Sequence, residues 1–496
     1  MNTAIPKLKA DVVVVGAGVI GSAVARELSK YQVDVILIDR NEDVGGEASL
    51  ANNASVICGY DFVPGSLDSQ MAVAASPMFD KLAKDLDIQF ERIGALQVAL
   101  TEEEMDTLVE IRHIALKNGV YDVELISGDE ARRMEPSLSE YVLGAMVIPR
   151  QAIIDVFGLV VAYTENAADN GVRLMLGAKA LEICKENGVV RSVVTTRGEI
   201  ETRFVVNAAG LHADALAQTA GICDFENYPR KGEFFVLDKK LPYKPKHIIA
   251  SVPTALSRGK LLTPSVEGNL LLGPTADNIK DKSDTATSRQ GLAEVLADLQ
   301  KKIPAVSSRD SVTQFTGLRP KRIPDELSIR AVKGVSGYIE ANGSSAGVTV
   351  SPAAAVYAVE LLKRERLTLV RKPDFNPIRR SIRKFSGATS EEREILIKED
   401  SRYANIICRC ETVSEAEIVE AIRRGASSVD AIKRRLRAGM GRCQGGFCLP
   451  RVIEIMAREL HVPAEQIRKN EPGSEYLTGP NKQILGERGN HELLSV

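Results

Sequence analysis

An unbroken apolar run, Val12–Val15, is cut at Gly16, and a stretch of small and apolar residues with helical spacing follows from Ser22 to Lys30. The first pattern is that of a strand buried on both faces, the second that of a helix packed against it. A second strand over Val33–Ile38 ends at Asp39, so the chain opens as a βαβ unit. Helical patterns dominate from Met71 to Arg133, as in Met78–Leu86. Ala152–Asn170 predicts one helix, Val172–Ile183 one strand, and Phe204–Gly210 a buried strand running into a glycine turn. Strands prevail from Arg230 to Arg330 around one helix near Gln290–Lys302. Tyr338–Ala341 then leads through the Gly/Ser turn Asn342–Gly347 to a helix over Pro352–Arg364. Such alternation predicts an α/β fold, a Rossmann-type nucleotide-binding domain carrying an inserted α+β domain. Residues 366–400, charged and holding Pro373 and Pro377, predict a linker; 401–471 predict a small helical module, and 472–496 a polar tail.

Length and composition narrow the class. The chain has 496 residues, 44% hydrophobic and 26% charged, enough for a large core and about three domains. A net charge of −2, 5% aromatics and no tryptophan argue against a nucleic-acid surface. No apolar run approaches membrane-spanning length, and no secretory leader is visible. The expectation is a cytoplasmic protein, with any membrane attachment made through a partner. Of seven cysteines, Cys58, Cys184 and Cys223 are scattered, while Cys408, Cys410, Cys443 and Cys448 cluster. A large cytosolic chain does not need disulfides, so the quartet suggests metal or cluster ligation.

Two constellations carry chemistry. Gly16-x-Gly18-x-x-Gly21 follows a strand and opens a helix. Gly16 permits the tight turn, Gly18 lets backbone approach a pyrophosphate at the helix N-terminus, and Gly21 lets helix and strand pack closely. Asp39 ends the next strand, where a carboxylate accepts ribose hydroxyls. Arg40 and the Gly45–Ser49 stretch would cover ribose and pyrophosphate. The motif alone does not separate FAD from NAD. A second segment, Val205–Gly210, returns far along the chain, as the longer FAD requires. In the other constellation, Cys408-x-Cys410 and Cys443-x4-Cys448 are separated by 32 residues. Four thiolates from two loops suit an iron–sulfur cluster; zinc, which prefers pairs spaced by two to four residues, is the alternative. A capping box at Ser414/Glu417 starts a helix that stops at Gly425, and another runs from Ser428 to Ala438. Cys443 and Cys448 then fall in a glycine-rich loop, with Pro450 opening a third helix. Arg409, Lys433, Arg434, Arg435, Arg437 and Arg442 make this module basic, either as a solvated face or as a surface for an anionic cluster or acidic partner.

The first 365 residues resemble the D-amino-acid-oxidase superfamily. With the cysteine module, nearly the whole chain resembles the anaerobic glycerol-3-phosphate dehydrogenase large subunits. The resemblance rests on Gly16–Gly21, Ser49-x-Ala-Asn52, Gly59-Tyr-Asp-x-x-Pro-Gly65, Val206–Gly210, Arg230-Lys-Gly-Glu-Phe234, Gly317-Leu-Arg319 and the cysteines. The module itself resembles bacterioferritin-associated-ferredoxin-like [2Fe–2S] domains. The resemblance implies FAD-binding parts at about 1–75, 150–225 and 330–365, and substrate-domain parts at about 76–149 and 226–329. It implies cofactor contacts at Gly16, Gly18, Gly21, Asp39, Arg40, Ser49, Asn52, Ala180, Ala209, Gly210 and Gly347, and cluster ligation by Cys408, Cys410, Cys443 and Cys448. Arg319, and less strongly Lys231, would bind an anionic substrate group; a structural ion pair is the other role open to such an arginine.

Two departures concern the chemistry. Where glycerol-3-phosphate relatives carry a histidine two residues before the flavin-loop glycine, this chain has Ile57. Where they carry a glutamate near the isoalloxazine, it has Asn342-Gly-Ser-Ser-Ala-Gly347. Oxidising an alcohol is helped by a positioned base, whereas a neutral amine can lose hydride without one. His212 is the histidine beside a flavin-associated motif, and is expected to face a helix start; Cys58 is expected to be an inert buried thiol. The expected function is oxidation of a small anionic alcohol, glycerol-3-phosphate or a 2-hydroxy acid, by hydride transfer to FAD. Electrons then pass through [2Fe–2S] to flavoprotein or iron–sulfur partner subunits, and no catalytic residue is assigned. Alternatives are an amino- or imino-acid dehydrogenase and an electron-transfer subunit with a degenerate pocket.

Overall fold

The computed structural model describes residues 8–254, 257–324, 327–342 and 345–479. Gly343, Ser344, His491 and the tail beyond 479, on which expectations fell, lie outside the described residues. The chain divides into two compact units, 1–381 and 382–496.

In the first unit, β1 (Leu8–Val15) lies at the centre of the parallel part of a mixed sheet. It pairs with β2 (Val35–Ile38) on one side and Gly198–Asn207 on the other, and Arg173–Met175 and Tyr338–Asn342 extend the sheet outward. Strand alternation sends Val12 and Val14 into a core shared with α1 (Val19–Leu28) and helices Val156–Asp169 and Gly347–Arg364. Val13 and Val15 face the opposite core, with Ala213, Leu216 and Ala217. Burial on both faces is why this strand reads as an unbroken apolar run. Gly21 is forced by α1 lying against the preceding loop: an added Cβ would stand 1.9 Å from the Gly16 carbonyl oxygen.

The inserted part forms a second, mostly antiparallel sheet. Glu226–Leu237 pairs with Ser311–Ile323 in a register that sets Arg230 opposite Arg319 and Gly232 opposite Gly317. Ala95–Ala99 pairs with Gly144–Ile148 and runs parallel to Ile248–Ser251. The α/β class with an inserted sheet is therefore as the pattern predicts.

Three local expectations differ. Ala152–Ile154 is a strand paired with Ser55–Val56, and the helix begins only at Val156. Asp155 stops the strand by capping, its Oδ1 accepting from Gly158 N at 2.8 Å. The Val172–Ile183 strand breaks into two around Gly177, at φ +66°. The helix expected over Pro352–Arg364 starts at Gly347, with Pro352 inside it. Proline leaves the Val348 carbonyl without its usual donor, and Ser351 Oγ supplies one at 2.9 Å.

Residues 366–381 lie along the first unit: Lys372 N donates to Lys30 O at 2.8 Å, and Arg379 Nε to Glu165 Oε2 at 2.6 Å. Helix Ser390–Glu399 belongs to the second unit. That unit packs helices Glu415–Arg423, Val429–Leu436 and Leu449–Leu460 around Ile418, Ile432, Val452 and Met456. The capping box read at Ser414/Glu417 is present. The second helix ends at Leu436 because Arg437 takes the left-handed conformation, φ +67°. Among the described residues no helix is long and apolar enough to cross a membrane.

Candidate functional site

A cavity of about 660 Å³ runs through the first unit. It is lined by Gly16, Gly18, Asp39, Arg40, Ser49 and Asn52, together with Ala180, Ala209, Gly210 and Gly347. Gly21 lies behind this wall, in the helix–strand contact. Gly16, at φ +104°, packs so closely on the returning segment that a Cβ would stand 2.4 Å from the Ala208 carbonyl oxygen. A Cβ on Gly18 would stand 2.9 Å from Ser49 Oγ, which itself accepts from Val19 N at 2.9 Å. Bare backbone and a helix N-terminus thus face the cavity, as a pyrophosphate needs. Asp39 accepts from Ala17 N (2.7 Å) and Asn41 N (2.8 Å). Its burial raises the carboxyl's pKa, with the two amides working against that.

Gly317 brings its strand against the Ser49–Asn52 segment, where a Cβ would meet Ala51 O at 2.0 Å. Arg319, two residues on, therefore reaches the cavity. Its Nη2 donates to Thr275 O at 2.7 Å, while its buried Nε has no acceptor among the described residues. Burial, reinforced by Arg230 and Arg258, pulls its pKa down to about 10. Arg258 is a cavity residue that no sequence motif disclosed. Its guanidinium forks onto Asp61, Nε to Oδ2 at 2.9 Å and Nη2 to Oδ1, and lies 4.2 Å over the Phe62 ring. Burial opposes the Arg258 charge, but Asp61 more than offsets it and the pKa ends above its ordinary value.

Lys231 is placed elsewhere. Strand alternation turns it away from the face that Arg230 shares with Arg319. It is buried, ion-paired to Asp284 at 2.9 Å, and does not line the cavity. His212 lines the cavity beside Arg40 and Asp214, and neither Arg319 nor Arg258 is among the charges that act on it. Burial, then Arg40, lowers its pKa. Ile57 presents an apolar side chain to the cavity, and Cys58 is a core thiol whose burial pushes it up to about 12.

The cavity fits a polar ligand. Ser55 Oγ, Gln151 Oε1, His212 Nε2, Arg319 Nε and both Asn342 side-chain atoms are buried without a partner among the described residues, and all belong to lining residues. Buried polar groups are ordinarily satisfied, so a cluster around one cavity marks where a polar molecule binds. Together with the glycine cradle, this suits FAD plus a small anion.

In the second unit the four cysteines meet as two pairs. Cys410 and Cys443 stand 3.7 Å apart, sulfur to sulfur, at the surface. Cys408 and Cys448 are buried and hydrogen-bonded to each other. The bond from Cys448, with amides of Gly439 and Glu411, holds the Cys408 thiol below its ordinary value against its burial. Amides of Phe447 and Gly445 favour a Cys443 thiolate. Gly441 is required here, since a Cβ would stand 2.2 Å from that of Cys410. Among the described residues no three metal-binding side chains converge on a single-ion site. Two thiolate pairs with inward-pointing amides suit a dinuclear cluster, in which each iron takes two cysteines.

Residues 11–361 match the family described as FAD dependent oxidoreductase (DAO), and residues 406–458 the BFD-like [2Fe-2S] binding domain. The glycerol 3-phosphate dehydrogenase of Caloramator mitchellensis is 40% identical over 475 residues, 95% of this chain and 99% of its own. Anaerobic glycerol-3-phosphate dehydrogenase subunit A1 of Haloferax volcanii is 23% identical, over 91% of this chain and 83% of its own. The solved L-alpha-glycerophosphate oxidase of Mycoplasma pneumoniae, with FAD bound, has a TM-score of 0.71 at 26% identity, over 75% of this chain and 98% of its own.

Proposed function

This chain belongs to the FAD dependent oxidoreductase family and carries a BFD-like [2Fe-2S] domain behind it, and we propose that it dehydrogenates glycerol-3-phosphate, passing the electrons through its cluster to partner subunits. The observation that carries the substrate reading is Arg319, a half-buried arginine whose buried Nε–H has no acceptor among the described residues, beside a second arginine in the cavity. Such a fork recognises phosphate or carboxylate with paired hydrogen bonds. The 40%-identical relative named glycerol 3-phosphate dehydrogenase supports phosphate; a 2-hydroxy acid is the next substrate in line.

FAD supplies the hydride acceptor. Gly16 and Gly18 leave room for its pyrophosphate, Asp39 accepts from its ribose, and Arg40, Ser49, Asn52, Ala180, Ala209, Gly210 and Gly347 complete the wall. Arg319 holds the anionic end of the substrate. Arg258, held in place by Asp61 and Phe62, adds a second positive charge. Ile57, Tyr60 and Phe234 add apolar surface to the cavity wall and limit water. Cys408, Cys410, Cys443 and Cys448 hold the cluster. The similarity to a protein named subunit A1 supports partner subunits, and a cytoplasmic location with membrane attachment through such a partner goes with it.

Anaerobic mixing with glycerol-3-phosphate, L-2-hydroxyglutarate and a panel of amino acids tests the reading. Flavin bleaching by glycerol-3-phosphate at low concentration is expected. Bleaching by amino acids alone would favour the second reading, CH–NH oxidation, which the apolar Ile57 at the cavity wall supports. Bleaching by none, but reduction by a partner, would leave an electron-transfer subunit.

A further inference from the structure

The surface of the cluster module is uneven in a way its fold does not need. Cys408 and Cys448 are 1% and 2% exposed, whereas Cys410 is exposed and Cys443 half-buried. Phe447 is 79% exposed and takes no part in the module's core, though its own amide donates to the Cys443 sulfur. A large aromatic held in water one residue from a cluster ligand gains nothing for folding, while aromatics are over-represented among side chains that anchor partners. The chain on either side of it is rich in basic residues. Exposed Arg409 stands between Cys408 and Cys410, and exposed Arg442 precedes Cys443. From Ala431 to Ile453 the chain carries Lys433, Arg434, Arg435, Arg437, Arg442 and Arg451 and no acidic residue. The neighbouring acid, Glu411, is buried and bonded to Arg437 at 2.9 Å.

We propose that Cys410, Cys443 and Phe447, rimmed by Arg409 and Arg442, form the docking face for an acidic one-electron carrier protein, and that electrons leave the cluster from its Cys410/Cys443 side. This rests on the reading that electrons exit through the cluster. It adds where they exit and the charge of what receives them. Opposite charge steers the encounter, and Phe447, whose amide bonds the Cys443 sulfur, seats the partner beside that ligand.

The test runs the exchange in reverse on the full-length holoprotein, because a docking face serves both directions. Flavodoxin hydroquinone, carried by an acidic protein, gives up one electron to the oxidised cluster and becomes its semiquinone; no bond in this chain forms or breaks. Stopped-flow bleaching and the electron paramagnetic resonance of the reduced cluster give the rate, and calorimetry with oxidised flavodoxin gives the affinity. Reduced methyl viologen, a small cation, is the control. F447A is expected to weaken binding by about tenfold. R409E and R442E each weaken it by roughly threefold to tenfold at low salt, with the loss vanishing at high salt. F447A should be reduced by methyl viologen at the parent rate and R409E and R442E no more slowly, and all should keep about two irons per chain; where R442E loses iron, R409E and F447A decide. Flavodoxin rates and affinities unchanged in F447A and R409E, or no salt-sensitive flavodoxin binding by the unaltered protein, would overturn the proposal. A cluster reduced by methyl viologen but never by glycerol-3-phosphate through the flavin would instead sink the underlying reading, whatever the flavodoxin result.

Discussion

Replacing Arg319 with methionine should move stability and binding in opposite directions. The methionine keeps a flexible stem of similar reach and removes the charge. In the substrate-free protein that charge is unfavourable: burial and the flanking Arg230 and Arg258 bring its pKa down to about 10. At roughly 1.4 kcal/mol per pKa unit, this is a penalty of about 3 kcal/mol. Arg319 keeps part of its surface open to the cavity, so screening there makes that figure an upper bound. The methionine variant should therefore melt no lower than the parent, and up to several degrees higher. Substrate binding must show the reverse. Losing one partner of a buried charge-assisted pair costs about 2–5 kcal/mol, or roughly thirtyfold to several-thousandfold in Kd. Arg319→Lys, which keeps the charge without the fork, should fall between. Anaerobic stopped-flow flavin reduction against glycerol-3-phosphate concentration reads Kd and limiting rate separately, and differential scanning fluorimetry reads stability. An unchanged Kd, or a marked fall in melting temperature with flavin still bound, would make Arg319 a structural residue and refute the anion-site reasoning.

Two further outcomes follow from the same geometry. Gly18→Val places a side chain against Ser49 Oγ, where even a Cβ stands at 2.9 Å, and should strip flavin from a folded protein; full flavin content in this variant would put the pyrophosphate elsewhere. Anaerobic preparations should contain about two irons and two labile sulfides per chain. Truncation after Ser381, the boundary of the first compact unit, should abolish both and keep FAD. One zinc and no sulfide would refute the cluster.

The extent to which the sequence disclosed this protein followed the range of the forces involved. Gly16, Gly18, Gly21 and Asp39 could be read directly because a tight turn, a helix start and a strand end are local conditions, satisfied within a few neighbours. The same holds for the Ser414/Glu417 capping box and for cysteines paired at short spacing. Where a local rule competed with a contact from afar, it failed. Ala152–Ile154 was drawn out of a helical pattern by pairing with Ser55–Val56, and Pro352 was accommodated within a helix by Ser351. At the site, Lys231 and Arg319 looked alike as cations in neighbouring motifs. The pleat and register of two strands sent one to Asp284 and the other into the cavity. Arg258 lies in no motif, and its partner Asp61 is 197 residues away. By itself, then, the sequence determined which segments would be strands, helix starts and ligand loops, since hydrophobic period and backbone preference act between near neighbours. Which charged groups face one another across the cavity was decided only in the folded chain, because that depends on sheet register and on segments brought together by burial of a shared core.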